Sequence, residues 1–163
     1  MTKDQLILLL KKYKENKSKL RLKLREKEKK LRQLEAIKEA ELKSGDNDVN
    51  SGIRSKNSVS DKVGNFASDT IDRENDLKLE IESLQKEIDE LSGVVEEIDI
   101  RLDSLKYKEK QILIAYYIDG CTYEDIGNRV YLELFHQTRS TRHIQRLVER
   151  CTDQILKLRL KMS

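Results

Sequence analysis

In LKLEIESLQKEIDELSGVVEEIDIRLDSL, residues 77–105, nine apolar residues recur at alternating steps of four and three. A sustained repeat of 3.5 residues is typical of an α-helix that winds around a partner helix. Gly93 lies inside the run and weakens the helix slightly. The stretch predicts one helix of a coiled coil, whose apolar seam comprises Leu77, Ile81, Leu84, Ile88, Leu91, Val95, Ile98, Leu102 and Leu105.

A less regular seam precedes it in residues 6–34, where seven of nine positions at the same spacing are apolar. Lys17 and Lys27 weaken this seam unless their aliphatic stems lie along it and their ammonium groups reach water. The predicted seam comprises Leu6, Leu10, Tyr13, Lys17, Leu20, Leu24, Lys27, Leu31 and Leu34.

The two seam-bearing ranges carry opposite charge. Residues 1–43 hold 15 basic and 7 acidic side chains, whereas residues 68–105 hold 4 basic and 13 acidic ones. Opposite charge beside an apolar seam favours pairing of the two helices with each other over self-pairing of either one. Such pairing predicts an antiparallel hairpin within one chain, or the same contact between chains in a homodimer or higher homo-oligomer. The sequence leaves both arrangements open.

The composition agrees with long helices. Of 163 residues, 39% are charged and 5% aromatic, and the chain has no proline and no tryptophan. A composition rich in charged residues and poor in aromatic residues and proline favours helix over sheet. We therefore predict an all-α protein in four ranges: a basic coiled-coil helix (1–43), a connector rich in turn residues (44–67), an acidic coiled-coil helix (68–105) and a helix-turn-helix domain (106–163).

Two features indicate a cytoplasmic protein with reduced thiols. Cys121 and Cys151 are the only cysteines in the chain, which does not suggest a disulfide framework. The LILLL run at 6–10 is too short for a secretory signal, and lysines follow it. No apolar stretch approaches the length that crosses a bilayer, so we predict no membrane partner.

The last range predicts three short helices. The first covers residues 107–118 and ends at Asp119-Gly120, where glycine can adopt a positive φ. Thr122 is placed to cap the second, with Asp125 three residues on. Either Ser140 or Thr141 caps the third, which carries an apolar stripe at helical spacing: Ile144, Leu147, Val148, Cys151, Ile155 and Leu158. The intervening YLELFHQTR (131–139) is long for a turn, and it either extends the second helix or forms a bulged loop.

The outer face of the third helix predicts a DNA-reading surface. Arginine can bridge guanine O6 and N7, glutamine can pair with adenine, and a helix N-terminus attracts phosphate. The alternative is a solvated face, which is common in so highly charged a chain. The predicted DNA-binding residues are Arg139, Ser140, Thr141, Arg142, His143, Gln145, Arg146 and Arg150.

The sequence offers little support for a metal site, a phosphate-binding loop or an enzyme active site. His136, His143 and Cys151 follow no zinc-binding spacing, and no glycine-rich phosphate loop is present. No nucleophile has a base at a recognisable spacing. We therefore expect no enzyme activity, no cofactor and no metal.

Two resemblances bear on function. LDSLKYKEKQILIAYYIDGCTYEDIGNRV (102–130) with STRHIQRLVERCTDQILKLR (140–159) resembles region 4 of bacterial sigma factors. Residues 59–158 resemble phage and prophage regulators of the RinA and ArpU type, in which a Ser-Asp-Lys-x-Gly-Asn segment precedes the heptad helix; here it is Ser60, Asp61, Lys62, Gly64 and Asn65. The resemblance implies a DNA-binding transcriptional activator of late or packaging genes, with RNA polymerase as a further partner.

Three functions remain in competition. The first is this sequence-specific regulator, in which the last helix enters the major groove of double-stranded DNA. The second is a phage terminase small subunit, which recognises packaging sites and forms rings. The third is a coiled-coil interaction module without DNA contact. The sequence gives neither the target site nor the oligomer order, and it does not separate activator from repressor.

Overall fold

The protein is all-α in the computed structural model, which describes residues 1–45 and 61–158. The predicted fold class is therefore confirmed. No strand occurs in the described residues, and two π-helical turns, Ile114–Ile118 and Ile126–Val130, interrupt the shorter helices. In chain order the helices are α1 (Lys3–Gly45), α2 (Asp61–Asp103), α3 (Tyr107–Leu113), α4 (Tyr123–Asp125), α5 (Tyr131–Phe135) and α6 (Thr141–Lys157).

The connector between α1 and α2 is shorter than predicted. The sequence placed it at 44–67, but α1 continues to Gly45 and α2 begins at Asp61. The helices therefore cover both edges of the predicted connector, because a helix can include a few turn-favouring residues at a cost below about 1 kcal/mol each. The rest of the predicted connector, residues 46–60, lies outside the described residues.

Contacts divide the chain into two compact units, which we call the larger unit (Met1–Leu20 with Glu90–Ser163) and the two-helix unit (Arg21–Asp89). Both α1 and α2 contribute to each unit. These units follow contacts, whereas the four predicted ranges follow composition and charge. The four-range division stays a prediction.

The seam of α2 is covered along its whole length. All nine of its predicted positions are buried or half-buried, from Leu77 to Leu105. Ile98 and Leu102, which belong to the larger unit, are 1% and 2% exposed. The apolar repeat therefore marks the side of α2 that packs against the rest of the protein.

In the two-helix unit α1 meets α2 through polar pairs. Lys23 Nζ lies 2.9 Å from Glu87 and Lys30 Nζ lies 2.6 Å from Glu80, while Lys27 donates to Gln85. The partners' numbers fall in α2 as they rise in α1, so the helices run antiparallel and contact each other within one chain.

The predicted seam of α1 is wrong at Leu24 and Leu31, which are 47% and 38% exposed. Their neighbours Lys23 and Lys30 face α2 instead. A lysine can lay its aliphatic stem along an apolar seam while its ammonium group reaches an acid on the facing helix. Lys23 and Lys30 therefore take the contacts that the heptad spacing assigned to the adjacent leucines.

The core of the larger unit contains the start of the chain. Leu6 and Leu10 are fully buried in one cluster with residues of α2, α3 and α6. The sequence placed both leucines only in a coiled-coil seam. The cluster further comprises Ile98, Leu102, Leu105, Ile112, Leu113, Ala115, Ile126, Tyr131, Ile144, Val148, Cys151 and Ile155.

Arg101, near the end of α2, caps the C-terminal end of α6. Its side chain is only 5% exposed. The guanidinium donates hydrogen bonds to the carbonyls of Ile155 and Leu158, and it forms an ion pair with Glu97 at 2.9 Å. The last carbonyls of a helix lack intrahelical partners, so Arg101 satisfies groups that would otherwise be costly to bury.

We expect Arg101→Met to lower the free energy of unfolding of the larger unit by about 2–3 kcal/mol, because the carbonyls lose their buried donor. All six tyrosines lie in the larger unit and the chain has no tryptophan, so tyrosine fluorescence during urea unfolding reports on this unit alone. Glu97→Gln is the comparison: it keeps both carbonyl bonds and an acceptor for the guanidinium, and removes only the charge of the half-buried carboxylate, so it should cost less than Arg101→Met. Equal effects of the two variants would contradict the capping role.

The predicted helix stop and helix cap are observed. Gly120 has φ 72°, and Thr122 caps α4 in a reciprocal capping box with Asp125. Hydrogen bonds from Thr122 lower the pKa of the Asp125 carboxyl. The long stretch 131–139 extends the preceding helix: α4, the second π turn and α5 run without a break to Phe135. His136 ends this run with φ 55°, a left-handed conformation that histidine tolerates better than most residues.

Candidate nucleic-acid interface

Ser140 caps helix α6, which settles the choice between the two predicted caps. The Ser140 backbone is extended, and its hydroxyl accepts a hydrogen bond from the His143 amide. The Ser140 carbonyl accepts bonds from the amides of His143 and Ile144. The other amides of the first turn have no intrahelical partner, as at any helix N-terminus, and they favour negative charge beside Ser140.

The apolar stripe holds α6 in the core. Ile144, Val148, Cys151 and Ile155 are at most 1% exposed. Thr152 is also buried, and its hydroxyl donates to the Val148 carbonyl at 2.7 Å. Burial raises the pKa of the Cys151 thiol to about 11, so this thiol is protonated at neutral pH and packs as a small apolar group. Because its inner side is buried in the core, α6 holds the side chains of its outer face at fixed positions.

On the outer face of α6, Arg142 and Arg146 are both exposed and lie one turn apart. Neither makes a hydrogen bond or an ion pair with any residue that the structure describes. Thr141 and His143 are also exposed beside them. This pair of arginines therefore carries positive charge that nothing in the described chain neutralises.

Arg150 continues the same stripe one turn further but is engaged within the chain. Its guanidinium lies 2.8 Å from the Glu109 carboxylate in the first turn of α3. Glu109 is the more buried partner, with a side chain 14% exposed against 65% for Arg150. The pair ties α6 to α3, so Arg150 also positions the helix.

The remaining predicted residues have partners too. Arg139 donates to the Gln137 side chain at 2.9 Å, and its guanidinium lies over the Tyr131 ring at 5.6 Å. The Gln145 amide donates to Glu149 at 3.2 Å. The structure thus brings all eight predicted side chains to the surface at the start and outer face of α6. Whether they bind DNA stays a prediction.

Gly127 positions the segment that leads into α6. Its carbonyl accepts a hydrogen bond from the Arg139 amide at 3.0 Å. A Cβ atom at Gly127 would lie 2.2 Å from the Arg139 carbonyl oxygen, far inside van der Waals contact. The segment before α6 therefore packs directly on backbone in the second π turn, which only glycine permits.

Sequence reasoning missed the residues that position this surface. Arg101 acts through a contact distant in the chain, and no local pattern marks it. Gly127 lies in the stretch that resembles sigma region 4, but its contact with Arg139 is not encoded locally. Glu109 had a weak signal, because an acid at the third position of a helix is typical of a capping box, and Glu109 does accept from the Lys106 amide. Its contact with Arg150 is not encoded locally.

Two further classes of site find no support in the described residues. Within residues 1–45 and 61–158, no three histidine, cysteine, aspartate or glutamate side chains lie together as metal ligands would. None of the described helices is long and apolar enough to cross a membrane.

We compared the chain with models of protein families, with curated proteins and with solved structures, and found no match in any of the three. A function for this chain therefore has to be inferred from the surface of α6 and from the sequence resemblances.

Proposed function

We propose that this chain is a sequence-specific DNA-binding regulator of transcription that reads the major groove with α6. The observation that carries the proposal is the pair of exposed arginines, Arg142 and Arg146, on a capped helix whose opposite side is buried. A guanidinium without an internal partner can donate to both acceptors of a guanine edge. The free amides beside Ser140 suit a backbone phosphate.

The finer architecture is part of the proposal. We propose an antiparallel coiled-coil hairpin of α1 and α2 followed by a helix-turn-helix domain like sigma region 4. The lysine pairs with Glu80 and Glu87 support the hairpin. The helical run that ends at Phe135 and the short segment before Ser140 support the second part.

By resemblance to the RinA- and ArpU-type regulators, we propose activation of phage or prophage late or packaging genes in the cytoplasm. RNA polymerase would be the second partner. The chain would act as a homodimer or higher homo-oligomer, which reads half-sites about one helical turn apart.

We expect Arg142→Ala and Arg146→Ala each to weaken binding to a duplex selected from a random pool by about 1–3 kcal/mol and to relax specificity at one base pair. Fluorescence anisotropy at two salt concentrations measures the loss, and wild-type affinity should fall steeply with salt. Lys157→Ala is the control, because it removes one positive charge from the exposed far end of the same helix.

Three outcomes count against the proposal. Unchanged affinity in both arginine variants would show that α6 is not the reading helix. No duplex retention at low salt would favour the interaction module. Rings of many subunits on a packaging site would favour the terminase small subunit.

A further inference from the structure

The two-helix unit has a groove on α1 with no occupant in the described chain. It is lined by Arg25, Glu28, Lys29, Arg32, Gln33 and Ala36. At 100° per residue these side chains lie on the opposite side of α1 from Lys23, Lys27 and Lys30, which face α2. The groove is therefore open toward a different partner.

The groove is basic. Arg25 and Lys29 are exposed and form no ion pair with any residue in the described ranges, while Arg32 pairs only with Glu28 of the same helix at 2.6 Å. Residues 21–45 hold nine basic and five acidic side chains in total. The aliphatic stems of these residues and Ala36 give the groove an apolar floor.

Helix α2 carries a complementary acidic face. Asp72, Asp76 and Glu82 are exposed, and none of them has an ion pair within the described part of the chain. Leu79 stands among them and is 65% exposed. This face lies on the opposite side of α2 from Leu77, Leu84 and Ile88, because Leu79 is rotated by 200° from Leu77 along the helix.

We propose that the groove on α1 binds the acidic face around Leu79 of α2 in a second copy of this chain. Residues 25–36 span about 17 Å and residues 72–82 about 15 Å at 1.5 Å per residue, so the two surfaces match in length. Arg25 and Lys29 are spaced like Asp72 and Asp76, which allows two ion pairs side by side. Leu79 then packs on the aliphatic stems and Ala36.

A second copy fits better than an unrelated acidic partner. Each chain carries both surfaces on opposite sides of its helix pair, so copies associate head to tail, with the groove of one copy on the acidic face of the next. Pairing of α1 with α1, or of α2 with α2, would bring like charges together. The proposal does not depend on DNA binding, and its test does not use DNA.

Sedimentation velocity of the full chain tests the proposal through charge reversal. The wild-type chain should form dimers and, at higher concentration, longer head-to-tail assemblies. Arg25→Glu with Lys29→Glu, and separately Asp72→Lys with Asp76→Lys, should each weaken dimerisation at least about tenfold. The chain with all four substitutions should dimerise again, because the reversed faces are once more complementary.

Two controls keep the outcome unambiguous. Lys11→Glu with Lys12→Glu makes the same charge change in α1 outside the two-helix unit and should leave dimerisation unchanged. Helicity at 222 nm shows whether each variant is folded, and the acidic-face pair remains a test if the basic-face pair unfolds. A monomeric wild-type chain at the highest soluble concentration, dimers that tolerate both reversals, or no rescue in the fourfold variant would each overturn the proposal.

Discussion

Replacing Gly127 by alanine should destabilise the larger unit by about 3 kcal/mol and abolish specific duplex binding. The new methyl group would lie 2.2 Å from the Arg139 carbonyl oxygen, and a backbone atom cannot rotate away as a side chain can. The segment before Ser140 must therefore shift, which costs energy as other overpacked sites do. The same shift breaks the hydrogen bond between the Arg139 amide and the Gly127 carbonyl.

Gly93→Ala is the matched control for Gly127→Ala. Gly93 is helical and exposed, and apart from its chain neighbours and the backbone of its own helix nothing lies within 4 Å of the position that a Cβ would take there. Alanine is the better helix former, so this variant should be more stable than wild type by about 0.5–1 kcal/mol. Urea unfolding followed by tyrosine fluorescence and by helicity gives both values. A Gly127→Ala chain as stable as wild type would show that the close contact is relaxed in solution.

Leu10→Asp should unfold the larger unit, at a cost of about 4 kcal/mol or more, although the substitution lies far in sequence from the proposed DNA-reading helix. Leu10 is fully buried among residues of α2, α3 and α6. A carboxylate at this place has neither water nor a charged partner in the core cluster. Tyrosine fluorescence and duplex binding should both be lost.

Leu8→Asp provides the comparison for Leu10→Asp. Leu8 lies in the same helix and is 52% exposed, so its replacement should change the free energy of unfolding by less than about 1 kcal/mol. If both variants behaved alike, the first turns of α1 would not belong to the core. If only duplex binding were lost in Leu10→Asp, the leucine would act on the interface and not on folding.

Local sequence rules predicted the local features well. Thr122 with Asp125, the stop at Gly120 and the cap at Ser140 were all within the predictions, because each depends on side chains within three or four residues. The inward stripe of α6 was also predicted correctly, since helical spacing alone defines it. The all-α class was also predicted correctly, because composition alone favours helix.

Long-range features were not predictable in this way. Arg101 contacts the carbonyl of Ile155, 54 residues away, and nothing in its neighbourhood separates it from the other arginines. Leu6 and Leu10 fit a heptad as well as a globular core, so spacing could not decide between the two. Next to Leu24, Lys23 contacts α2 instead of the leucine, through an ion pair with Glu87 that spacing does not encode. The roles of Arg142 and Arg146 stay predictions that need DNA to test.

Leu6 and Leu10 emerge from the ribosome long before Ile144 and Ile155, with which they share one core. During synthesis the two leucines lack their contacts on α6 until residues 144–155 have been made. Contacts so distant in sequence also slow refolding, because a long loop closes before they form. A nascent chain halted before α6 therefore has an incomplete core around Leu6 and Leu10, and overproduction at low temperature should yield more intact protein than rapid synthesis.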